Sequence, residues 1–115
     1  MNNDTPVRTI IDKVIAFRNE RDWEQFHNSK DLAICLSCES AELLELFLWK
    51  DVEKVNVDKV KEELADVLYS AFLLVDKYQL DVDEIISSKL RVNEGKYPVG
   101  KAKGVSKKWD ELDRD

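Results

Sequence analysis

Four carboxylates occur as two i,i+3 pairs, Glu39-Ser-Ala-Glu42 and Glu63-Leu-Ala-Asp66, with twenty residues between them. On a helix, side chains three apart share one face, a turn from each other. At about 100° per residue, Glu39 falls between Leu32 and Leu46, inside an apolar stripe of Leu32, Leu36, Leu43 and Phe47. Glu63 borders a second stripe (Val60, Leu64, Val67, Leu68, Ala71, Leu74), with Asp66 further round on the same side. Carboxylates crowded at the edge of a core repel one another and lose hydration unless a cation neutralises them. One such pair would read as a solvated helix face. Two pairs, on consecutive striped segments that must pack side by side, read as a metal site. Ligation by oxygen alone selects a hard cation, Mg²⁺, with Mn²⁺ as a substitute.

A second charge feature lies further along. Residues 87–108 carry seven Lys or Arg against one Glu, a local +6 inside a formal net charge of −6, which leaves −12 elsewhere. The acidic balance argues against a DNA or RNA binder, since phosphate contacts need a basic face. The basic segment suits a small polyanion beside the acidic site. Lys89 and Asn93, four apart, share a helical face, and Lys96 and Tyr97 continue it just beyond the expected helix end. A carboxylate-held cation next to Lys and Asn fits hydrolysis or transfer at a phosphoryl centre, with a carboxylate not engaged by the metal taking a proton from water. All three glycines follow residue 94, so a glycine-rich phosphate cradle is excluded and metal and side chains must bind the phosphates.

The elements that position these groups are helical. Three glycines, two prolines, 37% charged residues and long segments of 3.6 period predict an all-α protein, and 115 residues at 43% hydrophobic content predict one domain. Its core is expected over about 5–99, with an irregular tail at 100–115. Thr5-Pro6 starts a helix that runs to about Arg21. Residues 22–28 break the period and carry Trp23 and the single histidine, His27, on a loop or short turn. The second helix is capped at Asn28 or Ser29 and extends to Trp49, and the third spans 57–78. The fourth starts at Asp81 in a capping-box-like turn and stops at Gly95. The second helix also shows Ile34, Ala41 and Leu48 opposite its main stripe, and the second half of the third is apolar on most sides, which predicts an oligomer. Cys35 and Cys38 are expected to pack in the core rather than form a redox pair. No apolar run approaches the roughly 20 residues of a membrane span, and residues 1–4 lack a signal-peptide pattern, so a cytoplasmic protein with no membrane association is expected.

The carboxylate motif in a small helical chain resembles the MazG-like nucleoside triphosphate pyrophosphohydrolases. The stretches Arg21-Asp-Trp-Glu-Gln-Phe-His27, Glu45-Leu-Phe-Leu-Trp49-Lys, Glu62-Glu-Leu-Ala-Asp-Val67 and Lys96-Tyr-Pro-Val99 look most like the dCTP pyrophosphatase branch, over residues 10–99. The resemblance implies a four-helix MazG-like bundle completed by oligomerisation, as a homodimer or homotetramer. It implies Mg²⁺-dependent cleavage of a nucleoside triphosphate, dCTP or a modified deoxynucleotide, to monophosphate and pyrophosphate, the chemistry of nucleotide-pool sanitation. Position by position it makes Glu39, Glu42, Glu63 and Asp66 the metal ligands and catalytic carboxylates. Lys89, Asn93, Lys96 and Tyr97 then grip the phosphates, and Trp23, His27 and Trp49 surround the base. Where the family pattern suggests an aromatic one position later, this chain has Ser70 after Tyr69, and Cys38 and Ser40 replace small residues around Glu39. The competing class is a non-catalytic helical interaction module with its acidic pairs in water. A di-iron bundle is disfavoured because its Glu-x-x-His motif must occur twice and this chain has one histidine.

Overall fold

The computed structural model describes residues 5–112. Residues 1–4, where no leader pattern is read, and 113–115 of the expected tail lie outside the described residues. The described residues form α-helices and short 3₁₀ turns with no strand, so the expected all-α class holds. Four long helices are α1 (Pro6–Glu20), α2 (Ser29–Glu45), α3 (Val57–Lys77) and α4 (Val82–Lys96); α5 (Val99–Ala102) is a single turn. One-turn 3₁₀ segments occur at Glu24–Phe26, Val52–Lys54 and Trp109–Glu111. The chain divides into two compact units between Leu80 and Asp81, the first holding α1 to α3 and the second α4 and α5.

Each long helix begins at a side-chain cap that satisfies N–H groups its first turn would leave open. Thr5 Oγ1 accepts from the Arg8 N–H at 3.1 Å, with Pro6 at the first helical position. Asn28 Oδ1 accepts from the Asp31 N–H at 2.8 Å while its own Nδ2 donates to Asp31 Oδ2 at 2.8 Å, a reciprocal cap. Asn56 Oδ1 takes the N–H groups of Asp58 and Lys59 at 3.0 and 3.3 Å. Asp81 Oδ1 takes that of Glu84 at 3.1 Å.

Two helix ends differ from expectation. α2 stops at Glu45 rather than Trp49: the Leu46 and Phe47 N–H groups turn to the carbonyls three residues back, and Trp49 takes a left-handed φ of 63°. α4 runs through Gly95 to Lys96. Pro98 sets this stop, because the residue before a proline is excluded from the helical region and Tyr97 accordingly sits at φ −127°, ψ 64°.

Within the first unit, α2 packs against α3, and α1 packs on α3. Ile11, Leu32, Leu73 and Val75, drawn from all three helices, are its buried apolar residues. That core is small for so many apolar side chains. Ile34, Leu44 and Leu48 on or just after α2, and Leu64 and Leu68 on α3, stay exposed in the single chain. Cys35 and Cys38, expected in the core, are exposed free thiols: the packing that buries Leu32 leaves Cys35, one turn on, and Cys38 uncovered.

The cap of α3 orients the helix that carries Glu63 and Asp66. Asn56→Ala should lower the unfolding free energy by about 1 kcal/mol in a urea titration at fixed protein concentration, and Asn56→Asp by much less. A loss below roughly 0.3 kcal/mol for Asn56→Ala would show the cap to be dispensable.

Candidate metal centre

The packed pair α2 and α3 brings both acidic motifs together. Glu39, Glu63 and Asp66 each offer one carboxylate oxygen, and these three atoms lie within 4.8 Å of one another. Glu42 adjoins both glutamates, and its charge acts on each. The i,i+3 spacing presents each pair along one side of its helix, and the packing turns the two sides toward each other.

The electrostatics of this cluster are unfavourable as it stands. Glu39 and Glu63 are half-buried, and Oε2 of each is buried without a hydrogen-bond partner. Burial, first, pushes the Glu39 carboxyl above its ordinary 4.5, followed by the hydrogen bond and charge of Glu42 and the charges of Asp66 and Glu63. Glu63 is raised from the same value by burial and then by the charges of Glu42 and Asp66. None of the described ion pairs engages these carboxylates. Unpartnered oxygens from separate residues, converging within ligand distance in a half-dry niche, fit a hard divalent cation. Glu39, Glu63 and Asp66 would hold it, with Glu42 adjoining.

The remaining sequence-predicted residues fall in two places. Trp23 and His27 flank the 3₁₀ turn between α1 and α2. The Trp23 ring meets Phe17 edge-on, with centroids 5.9 Å apart, and Phe17 meets Tyr69 of α3 in the same way at 6.2 Å. His27 Nδ1 is buried with no hydrogen-bond partner. Trp49 is not brought into a pocket by this chain: it is 99% exposed. Lys89, Asn93, Lys96 and Tyr97 all belong to the second unit. There Asn93 is half-buried, its carbonyl accepts the Tyr97 N–H at 2.7 Å, and Lys96 Nζ lies 5.4 Å over the Trp109 ring. A cleft of about 460 Å³ in this unit is lined by Lys96, Lys101, Trp109 and Asp110 among others.

Arg18 and Asp76 escaped the sequence reading. Arg18 is buried and its Nη1 donates to Asp76 Oδ2 at 2.8 Å. Its position seven residues after buried Ile11 was the available signal, since that spacing returns to the same helical face.

Comparison with known proteins places these features in context. Residues 34–112 match the family model described as the MazG-like family. The chain is similar to dCTP pyrophosphatase 1 of Mus musculus, 35% identical over 106 residues, covering 85% of this chain and 62% of that protein. It is 36% identical over 104 residues to dCTP pyrophosphatase 1 of Homo sapiens, covering 84% and 61%. The chain thus spans less than two thirds of the length of these relatives. The crystal structure of a pyrophosphatase from Archaeoglobus fulgidus superposes with a TM-score of 0.76 at 32% identity, covering 85% of this chain and 97% of that one.

The raised carboxyls make metal binding and stability pH-linked. Between 4.5 and the raised values the folded chain keeps protons that the unfolded chain has lost, so these groups lower stability as pH rises through that window. A cation takes over the protons' role above it. Mg²⁺ or Mn²⁺ should therefore raise Tm clearly near neutral pH and little near pH 4.5. Glu63→Gln should raise the metal-free Tm at neutral pH while shrinking the metal-induced rise. Equal metal-induced shifts at both pH values, measured by scanning fluorimetry, would contradict this account.

Proposed function

Because the chain belongs to the MazG-like family, we propose that it is a nucleoside triphosphate pyrophosphohydrolase acting on dCTP or a modified deoxynucleoside triphosphate, with Mg²⁺ required and Mn²⁺ able to substitute. The observation that carries this reading is the pair of buried, unpartnered oxygens on Glu39 and Glu63, with Asp66 completing a three-oxygen set. The dCTP pyrophosphatases and the archaeal pyrophosphatase it resembles support the reaction class.

A divalent cation held by these carboxylates supplies positive charge against the phosphate chain and makes nearby water more acidic. Glu42 adjoins the three-oxygen set as a further ligand, and a carboxylate not engaged by the cation would accept a proton from the attacking water. Water adds at phosphorus, the bridging P–O bond between the α and β phosphates breaks, and monophosphate and pyrophosphate leave. Lys89, Asn93, Lys96 and Tyr97 bind the phosphates through charge and hydrogen bonds. Trp23, His27 and Trp49 surround the base, where each aromatic face contributes about 1–3 kcal/mol by stacking.

Trp49, wholly solvated on one chain, and the exposed apolar residues of α2 and α3 favour a homodimer or homotetramer that buries them. No described helix is long and apolar enough to cross a membrane, and the free thiols of Cys35 and Cys38 suit a cytoplasmic protein of nucleotide-pool sanitation.

A panel of canonical and modified nucleoside triphosphates with Mg²⁺ should yield monophosphate and pyrophosphate. Glu39→Ala and Asp66→Ala should each lower the rate by on the order of a hundredfold or more while the folded oligomer persists. Release of orthophosphate and diphosphate would overturn the assigned bond cleavage. A wild-type chain that cleaves no nucleoside triphosphate, shows no metal-dependent stabilisation and loses no stability in Glu39→Ala would favour the interaction module instead.

A further inference from the structure

Arg18 is the buried charged side chain among the described residues, only 5% exposed. Its guanidinium spreads over partners from different elements. Nη1 donates to Asp76 Oδ2 of α3 at 2.8 Å, Nε donates to Asn19 Oδ1 at 3.0 Å, and Nη2 lies 3.7 Å from Glu24 Oε2. Its carbonyl oxygen accepts the Trp23 N–H at 3.2 Å. Glu24 in turn accepts the His27 N–H on its carbonyl at 3.0 Å. The guanidinium thus reaches the segment 22–28 at Glu24 and through Glu24 at His27, while the backbone of the same residue holds Trp23. Asp22, between the end of α1 and Trp23, turns the chain with a left-handed φ of 54°, a conformation that aspartate accepts more readily than most non-glycine residues.

Burying a guanidinium is costly, and an apolar pair of similar volume would stabilise the α1–α3 contact at least as well. What the planar fork adds is direction: several donors fixed at set angles toward different elements. We infer that Arg18, anchored on Asp76, is a positioning residue that holds Trp23 and His27 in one arrangement toward a nucleobase. This rests on the functional reading above.

Two observations support it. The Arg21 guanidinium lies 3.6 Å from the Phe17 centroid and Phe17 backs Trp23, so the tryptophan has a fixed wall behind it. His27 is held uncharged. Burial and then the Arg18 charge lower its pKa from 6.5, Lys77 of α3 acts in the same direction, and Glu24 of the 3₁₀ turn opposes them. A neutral imidazole offers one donor and one acceptor, which suits the mixed edge of a base.

Geometry and charge separate by substitution, because lysine keeps the charge and loses the fork. With the full chain, Mg²⁺ and dCTP, Arg18→Gln and Asp76→Asn should raise KM about tenfold while kcat changes less than about threefold. Arg18→Lys should also raise KM. The chain has one histidine, so its imidazole resonance reports His27 alone. Its midpoint should rise toward 6.5 in Arg18→Gln and stay low in Arg18→Lys. Folded Arg18→Gln or Asp76→Asn with unchanged KM, or with kcat falling at constant KM, would overturn the proposal, as would an unmoved His27 midpoint in Arg18→Gln. Should Arg18→Gln not fold, Arg18→Lys and Asp76→Asn carry the KM criterion. If the wild-type chain cleaves no nucleoside triphosphate, the functional reading has failed; amide hydrogen exchange over residues 23–27, faster in Arg18→Gln and Arg18→Lys if the fork holds the segment and unchanged if it does not, then decides Arg18's hold by itself.

Discussion

Like charges brought together raise one another's energy, and half-buried Glu39 and Glu63, beside exposed Glu42 and Asp66, each keep one oxygen that neither solvent nor a basic side chain relieves. Much of the first unit serves this placement. α2 and α3 have to pack closely enough to converge their acidic sides, yet leave the cluster open enough for a cation and phosphate to enter; the exposure of Asp66 beside half-buried Glu39 and Glu63 meets both demands. The tension is local, and it shows in the Glu39 and Glu63 carboxyls, both pushed above their ordinary pKa.

The scaffold resists that repulsion with modest means. Four long helices start at Thr, Asn, Asn and Asp caps that satisfy their first N–H groups, which fixes where each helix begins and so the register of the acidic residues. The apolar core of the first unit is small, and many large apolar side chains of α2 and α3 remain in water. That exposed apolar surface lies on the same two helices that carry the acidic pairs.

A second polar arrangement stands apart from the carboxylates. Arg18 and Asp76 join α1 to α3 and tether the segment of Trp23 and His27, while Phe17, Tyr69 and Arg21 build the wall behind it. One group of charges is balanced within the chain and the other is not. The balanced one shapes a surface and the unbalanced one calls for an ion.

The sequence by itself determined the helices, their caps and the two acidic pairs, because period, capping residues and i,i+3 spacing are local and a helix turns them directly into faces. Thr5, Asn28 and Asp81 were legible as caps for that reason, whereas Asn56 showed its cap only in the structure. It misplaced the end of α2, since the change to tighter hydrogen bonds before Trp49 leaves no compositional mark, and it favoured Gly95 over Pro98 as the stop of α4 although proline's constraint on Tyr97 is the stronger one. The cysteines were misread because helical spacing assigns residues to faces without saying which face finds a neighbour. Only the tertiary structure decided which oxygens meet, that two of them are left without partners, and that Arg18 reaches across 58 residues to Asp76. Such contacts depend on how helices distant in sequence pack, and no local pattern carries that information.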